Sequence, residues 1–506
     1  MKYLLFSLLA INAFVCPGPV WSAQFSLNDL IVLGLRANTQ LKIDQLEVEK
    51  AQQEIVSEES VFDPHVFSIV GHEHRKSPFV SDGFNGRLST REYQGTIGLR
   101  KNFTSGLNAS VSLTTERFSG YSTTSTLDPR YRSALVLELH QPLLRNFGKI
   151  VNTAALDSAE YRLEQAELGY LLAAQHLAVG LEYGLRELAL YYQTVQLRKD
   201  SLKLADDLLY YNRLRFDEGI VPITEIQEAE SAQATRRLML AEARQDRDRL
   251  FVEINRRLNG QLPSYFDPSA IFFHEDSEPK SAVDDFATLL DTARARRLDL
   301  QISQLSLAVQ QRQMDLLRHQ LKPQLDLRLQ TGLNGLAGRQ DSDTPYSGNW
   351  GNSFSSMSSA DGYQWGVALE FSLPLGNRQA QSRYRRSHLA TQQQRYQIAD
   401  LDQQLQMEIR EALIRFEHAA EQLDISFDVE RLASISLQQE QRRLDEGLSD
   451  TFRLLSFQDN MIKARAARLQ AVTAYSLAQA RLAFVTGEIF DRYNIRLTQS
   501  REGSWP

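Results

Sequence analysis

"RLRFDEGIVPITEIQ" (residues 213–227) and "QRRLDEGLSDTFRLL" (residues 441–455) decide how this chain folds. Arg215, Asp217, Glu218 and Gly219 of the first recur as Arg443, Asp445, Glu446 and Gly447 of the second, almost half the chain later. Each glycine ends a run of helix formers and is followed by another. Glycine enters the left-handed region without a Cβ penalty, so each segment is predicted to reverse a helical hairpin. A four-residue match is weak by itself; a match whose surroundings also repeat is architecture.

The surroundings do repeat. Seventy residues lie between Gly148 and Gly219 without a proline, and seventy between Gly376 and Gly447 without proline or glycine. Both are rich in Leu, Ala, Glu, Gln and Arg, which are strong helix formers. Helices are therefore expected at 149–218 and 377–446, each about 105 Å long. Shorter helices are expected after each turn, at 223–259 and 451–486, and before each strand region, at 27–62 and 284–321. Two short helices laid end to end match one long one. In the second long stretch Ile398, Leu401, Leu405, Ile409, Ala412, Phe416, Ala420, Leu423 and Phe427 step by 3, 4 and 4. That spacing predicts a nearly straight or slightly right-handed packing stripe.

Strand patterns separate the helices. In 324–332 Leu325, Leu327 and Leu329 alternate with polar residues; in 363–373 Tyr363, Trp365, Val367, Leu369, Phe371 and Leu373 share one face. In the first half strands are expected within 64–142, at 66–74 and 132–140, and 96–114 reads as a further hairpin whose place in the sheet is open. Residues 75–92, 119–131 and 333–362 read as polar loops. Pro64, Pro142, Pro323 and Pro374 mark the four helix–strand junctions, where a missing backbone donor is tolerated. The chain thus divides into a first repeat at 24–260, a linker at 261–283, a second repeat at 284–487 and a tail at 488–506.

Residues 1–23 have the form of a signal peptide: Lys2, an apolar stretch from Tyr3 to Val15, then small Ser22 and Ala23. Cys16, the only cysteine, lies inside it, so the exported chain is expected to hold together without disulfides. A net charge of −7 with no basic block argues against nucleic acid. No phosphate-binding loop, dinucleotide fingerprint or zinc-protease motif occurs. His72 and His74 share a strand face, but two ligands make a weak metal site. No enzyme, cofactor or metal is expected.

Alternating strands of about ten residues with aromatic residues near their ends fit an outer-membrane barrel. Four to six strands cannot close one, and an open edge cannot sit in lipid, so several chains must pool them. The long helices, pooled likewise, would form a tube. The fold class expected is mainly α, with a duplicated helix–strand–strand–helix–helix repeat whose α-helical barrel continues into a trimeric transmembrane β-barrel.

In this duplicated plan, in the strand exits Gln141-Pro142-Leu143 and Leu373-Pro374-Leu375, and in the two glycine turns, the chain resembles the TolC-like outer-membrane efflux proteins. The resemblance implies a homotrimer with a 12-stranded outer-membrane barrel and a periplasmic helical barrel. It also implies service as exit duct for an inner-membrane pump or type I secretion system, through a periplasmic adaptor. Asp217, Glu218, Gly219, Asp445, Glu446 and Gly447 would form the periplasmic tip turns. The best-known members carry acidic residues six and nine positions after the second glycine. Here Arg453 and Ser456 stand there, while Glu225 and Glu228 hold the matching places in the first hairpin. A pair between Arg453 and Glu225 or Glu228 is a candidate latch; the alternative is that all three are solvated charges on helix faces, each contributing little. The competing possibility is a coiled-coil envelope scaffold or adaptor that conducts nothing, against which the alternating strands argue.

Overall fold

The computed structural model describes residues 26–81, 84–120, 127–264, 266–268, 284–339, 345–360 and 362–495. The expected signal peptide, most of the 261–283 linker and the last part of the tail lie outside these residues. The helices are α1 (Leu27–Ala37), α2 (Thr39–Glu59), α3 (Lys149–Asn152), α4 (Ala154–Asp217), α5 (Ile223–Arg257), α6 (Phe286–Arg296), α7 (Leu298–His319), α8 (Trp350–Ser358), α9 (Arg378–Asp445), α10 (Thr451–Val485) and α11 (Ile489–Arg492). The strands are β1 (His65–Ser81), β2 (Phe84–Asn102), β3 (Asn108–Gly120), β4 (Arg130–Pro142), β5 (Gln324–Gly338) and β6 (Gly362–Ser372). With 64 and 68 residues, α4 and α9 are single uninterrupted helices of about 96 and 102 Å. No described helix is both long and apolar enough to cross a membrane.

Two helices expected as continuous are broken, each at one residue. Asn38 turns to ψ 123° between α1 and α2; its amide N–H still closes on the Gly34 carbonyl, while its Oδ1 accepts from Leu41 N–H and starts the next helix. Arg297 does the same between α6 and α7, with ψ 117° and its N–H on the Ala293 carbonyl. The break is duplicated, like the turns.

The chain forms two compact units, each drawn from both sequence repeats. The first comprises the described parts of Met1–Lys42, Ala173–Arg297 and Leu405–Pro506. In it α5 lies along α4, through Leu209, Ile226 and Ala229 near the turn and Val195, Leu240 and Ala243 further along. Equivalently α10 lies along α9, where Phe416, Ala419 and Leu423 meet Ala471, Tyr475 and Ala478. Leu208, Leu444 and Leu454 join the two hairpins. In the 3-4-4 stripe Leu405, Ile409, Ala412, Phe416 and Leu423 are buried and Ala420 is partly buried, whereas Phe427 is exposed beneath the Arg468 guanidinium.

The second unit comprises Ile43–Leu172 and Leu298–Gln404. Polar contacts join its helical segments in the order α2, α4, α7, α9: Arg162 to Glu54 at 2.7 Å, Gln165 to Ser306 at 2.7 Å and Gln394 to Ser303 at 3.0 Å. The strands form one antiparallel meander in the order β1-β2-β3-β4-β5-β6. The 96–114 hairpin therefore joins the sheet, as parts of β2 and β3. Residues 75–81 and 84–92, expected as loop, are the outer halves of β1 and β2, paired from Arg75–Thr90 to Ser81–Phe84. β5 runs to Gly338 rather than 332, and the 333–362 segment also contains α8, started by an Asn349/Asn352 capping box. Among the described residues the duplication thus holds for the long helices but not for the strands, of which four lie in the first half and two in the second.

Candidate functional site

Both hairpin turns are built alike. Gly219 and Gly447 have φ of 74° and 76°, and each is followed by a residue whose N–H reaches five positions back. Ile220 donates to the Arg215 carbonyl and Leu448 to the Arg443 carbonyl, both at 2.8 Å; Gly219 and Gly447 donate to Phe216 and Leu444. These paired bonds satisfy the last carbonyls of α4 and α9 and require a left-handed residue at the glycine. Asp217, Glu218, Asp445 and Glu446 are exposed, except that the turn residues pack through Val221 and Leu444 beneath them.

The gate candidates are placed less symmetrically. The Glu225 carboxylate accepts from the Thr451 hydroxyl at 2.7 Å, and that hydroxyl accepts from the Asn212 amide at 2.9 Å. Asn212 also donates to the Glu225 carbonyl at 3.2 Å. Thr451 and Asn212 are 0% and 1% exposed, so this polar tie is shielded from water and links α4, α5 and α10. Within one chain Arg453 lies instead beside Asp450, 3.9 Å away in an exposed pair, while Asp450 caps α10 by accepting the Arg453 N–H. Glu228 and Ser456 line one groove together with Phe452 and Asp459.

A second tie went unseen in the sequence. Arg236, 5% exposed on α5, donates to Ser201 O, to Gln458 Oε1 at 2.9 Å and to Asp459 Oδ1 at 3.0 Å. Its neighbour Arg237 is exposed, and nothing in "TRRLML" separates the two except helical phase.

The sheet has two chemically distinct faces. Residues paired across antiparallel strands point the same way, so the registers assign every side chain. One face carries Val66 and Val70 of β1, Ile97 and Leu99 of β2, Val111 and Leu113 of β3, Leu135, Leu137 and Leu139 of β4, Leu327, Leu329 and Leu333 of β5, and Tyr363, Trp365, Val367, Leu369 and Phe371 of β6. Much of it is bare: Val70 is 87% exposed, Trp365 74% and Leu369 63%. The opposite face is mostly polar, with Thr96, Ser112, Thr114, Glu138, Gln330 and Gln364, and with Arg328–Glu370 and His140–Asp326 pairs at 2.7 and 3.1 Å. Among the described residues α8 covers part of the apolar face, near one end. Ser353 bonds Ser133, Trp350 bonds Thr115 and stacks on Tyr131, and at Gly335 a Cβ would strike the Ser353 carbonyl.

His72 stacks on Tyr93 and approaches the Glu92 carbonyl at 3.2 Å, and His74 meets Ser89 at 2.9 Å. Among the described residues no cluster of three or more His, Cys, Asp or Glu is placed to hold a metal. Pro64 precedes β1, Pro142 ends β4, Pro323 precedes β5 and Pro374 follows β6. The strand exits turn through left-handed Asn146 and Gly148 in the first half and Gly376 and Asn377 in the second.

Two hairpins of long helices and one amphipathic six-stranded sheet thus make up the described residues. The outer membrane efflux protein family matches residues 289–488, the second of the two repeats. Over about nine-tenths of its length the chain has the fold of solved outer-membrane channels. It superimposes on the CmeC outer membrane channel of Campylobacter jejuni with a TM-score of 0.63 and 16% identity, covering 92% of this chain and 86% of that one. The open state of the MtrE outer membrane channel of Neisseria gonorrhoeae gives 0.65 and 15%, covering 92% and 89%. The outer membrane protein VceC of Vibrio cholerae gives 0.63 and 16%, covering 91% and 96%. No curated protein matches the chain by sequence.

Proposed function

We propose that this chain is the outer-membrane exit duct of a tripartite efflux pump or type I secretion system, working as a homotrimer. Its helices would stand in the periplasm and meet a periplasmic adaptor and inner-membrane pump. The observation that carries this is the sheet: a bare apolar face backed by a polar one, in the same chain as two hairpins of long helices. In water such a face is a liability; against lipid it is the required surface, and the polar face then lines an aqueous passage. A non-conducting scaffold has no use for either face.

The hairpin turns are the proposed gate. Glu225, Glu228, Arg453 and Ser456 lie within the first three helical turns beyond Gly219 and Gly447, where six turns from three chains would ring the passage. The Glu225–Thr451–Asn212 tie supports a closed resting tip by holding the two hairpins of one chain together. Arg453, held within the chain by a long, exposed pair with Asp450, would meet Glu225 or Glu228 of a neighbouring chain in the candidate latch.

The test is fractionation followed by reconstitution. The protein should sediment with outer membranes, need detergent for extraction, run as a trimer and give discrete single-channel currents in planar bilayers. Purified, correctly folded protein that stays soluble without detergent and carries no current would refute the proposal.

A further inference from the structure

Among the described residues the sheet has six strands, and in a barrel shared between copies that number would set the width. β1 and β6 are the two open edges of the sheet. The apolar face runs without interruption from one edge to the other, from Val66 and Val70 to Val367 and Leu369. Backbone donors and acceptors flanked by lipid-facing side chains must be paired, so in a membrane both edges need a partner strand.

The β2–β3 hairpin is an integral part of this surface. β2 is in register with β1 from His65–Arg100 to Ser81–Phe84 and with β3 from Thr90–Gly120 to Asn102–Asn108. Its alternation stays in phase with both neighbours. Its turn is held at the end of the sheet where the chain leaves β4, by the Gly148 N–H donating to the Ser105 carbonyl at 3.1 Å. An even number of alternating strands leaves β1 and β6 running in opposite directions. A copy related by rotation about a barrel axis therefore offers its β1 to the neighbour's β6 antiparallel, with apolar faces on the same side.

Resting on the trimeric duct proposed above, we propose that β6 of each copy pairs with β1 of the next, so that three copies close an 18-stranded barrel rather than the 12-stranded one the sequence resemblance implied. At a strand tilt of about 40° the backbone radius is then about 18 Å instead of about 12 Å, roughly doubling the cross-section. The alternative closure leaves the β1–β2 hairpin outside the ring and pairs β6 with β3 of the next copy.

Cysteine cross-linking separates the two, because Cys16 is the only native cysteine and lies in the expected signal peptide. Ile69→Cys on β1 is combined in turn with Gln364→Cys, Gly366→Cys and Ala368→Cys on β6, and Thr114→Cys on β3 with the same three. Full-length protein is oxidised in outer-membrane vesicles and run without reductant. Covalent dimers and trimers from at least one Ile69→Cys pair, with monomer from every Thr114→Cys pair, are expected. Multimers from the β3 series overturn the inference. If neither series cross-links, the strand count by electron cryo-microscopy of the nanodisc-embedded trimer decides, eighteen supporting and twelve overturning it. A protein that forms no trimer, or does not reach the outer membrane, fails the duct proposal instead.

Discussion

Replacing Thr451 by valine tests how the two hairpins of one chain are held together. The Thr451 hydroxyl is fully buried, donates to Glu225 Oε2 at 2.7 Å and accepts from Asn212 Nδ2 at 2.9 Å. Valine keeps the shape and removes both bonds. A hydrogen bond to an ionised carboxylate contributes about 1.5–3 kcal/mol and a neutral one about 0.5–1.5 kcal/mol. Asn212 keeps its bond to the Glu225 carbonyl, and half-exposed Glu225 regains water, so the low ends apply. The loss is about 2 kcal/mol per chain, a roughly 30-fold rise in transient separation of the hairpins. Amide hydrogen exchange on peptides covering 213–224 and 446–455 reads this directly. Exchange should accelerate in both segments for Thr451→Val, stay near wild type for Thr451→Ser, and be unchanged in α7. Equal protection of both tips in wild type and Thr451→Val would refute the tie as a structural restraint.

Val367→Arg on the bare face of β6 should cost about 2–4 kcal/mol near the bilayer centre, whereas Gln364→Arg on the polar face should assemble normally; heat-modifiable migration of the folded protein compares them, and equal behaviour would remove the lipid-facing assignment. Leu185→Ala, at a fully buried position of α4, should cost about 2–5 kcal/mol and lower the thermal midpoint. Gly447→Ala forces a Cβ into φ 76° and should cost about 1–2 kcal/mol, read as faster exchange at 446–455 with the first turn unaffected. Arg453→Glu should raise single-channel conductance if Arg453 meets a neighbouring chain's acidic residues, and Glu225→Arg should partly reverse it; since the Asp450 pair within the chain is exposed and long, unchanged conductance would mark Arg453 as a solvated charge.

What was legible in the sequence follows from how few residue types satisfy each position. Gly219 and Gly447 could be assigned because a left-handed helix end excludes most side chains. Trp365, Val367 and Leu369 could be assigned because one bare face demands strict alternation. The outer halves of β1 and β2 could not: in "HRKS" and "STRE" polar residues occupy every position, the period of two disappears, and cross-strand pairing defines the strand. The breaks at Asn38 and Arg297 were equally silent, since each is a single ψ rotation in helix-forming sequence. Thr451 and Arg236 were missed as ties because their partners Glu225, Gln458 and Asp459 lie on the opposite hairpin, some 220 positions away.

The unequal halves follow from what each part of the repeat can absorb. Helical hairpins that pack side by side through Leu208, Leu444 and Leu454 must agree in length, because a shift of a few residues in one would strand its apolar stripe against the other's polar face. A sheet has no such constraint. An inserted β-hairpin leaves the chain and brings it back to the same end, so the flanking strands keep their direction and the helices beyond them keep theirs. Inserting two strands also preserves the phase of the apolar face and the opposite sense of the two edge strands, while inserting one would reverse everything that follows. Strands can therefore be added in pairs, in one half only, without disturbing the duplicated helices. In this chain the described strands divide four to two between the halves, and in the proposed duct the width of the passage would be set independently of the helical hairpins.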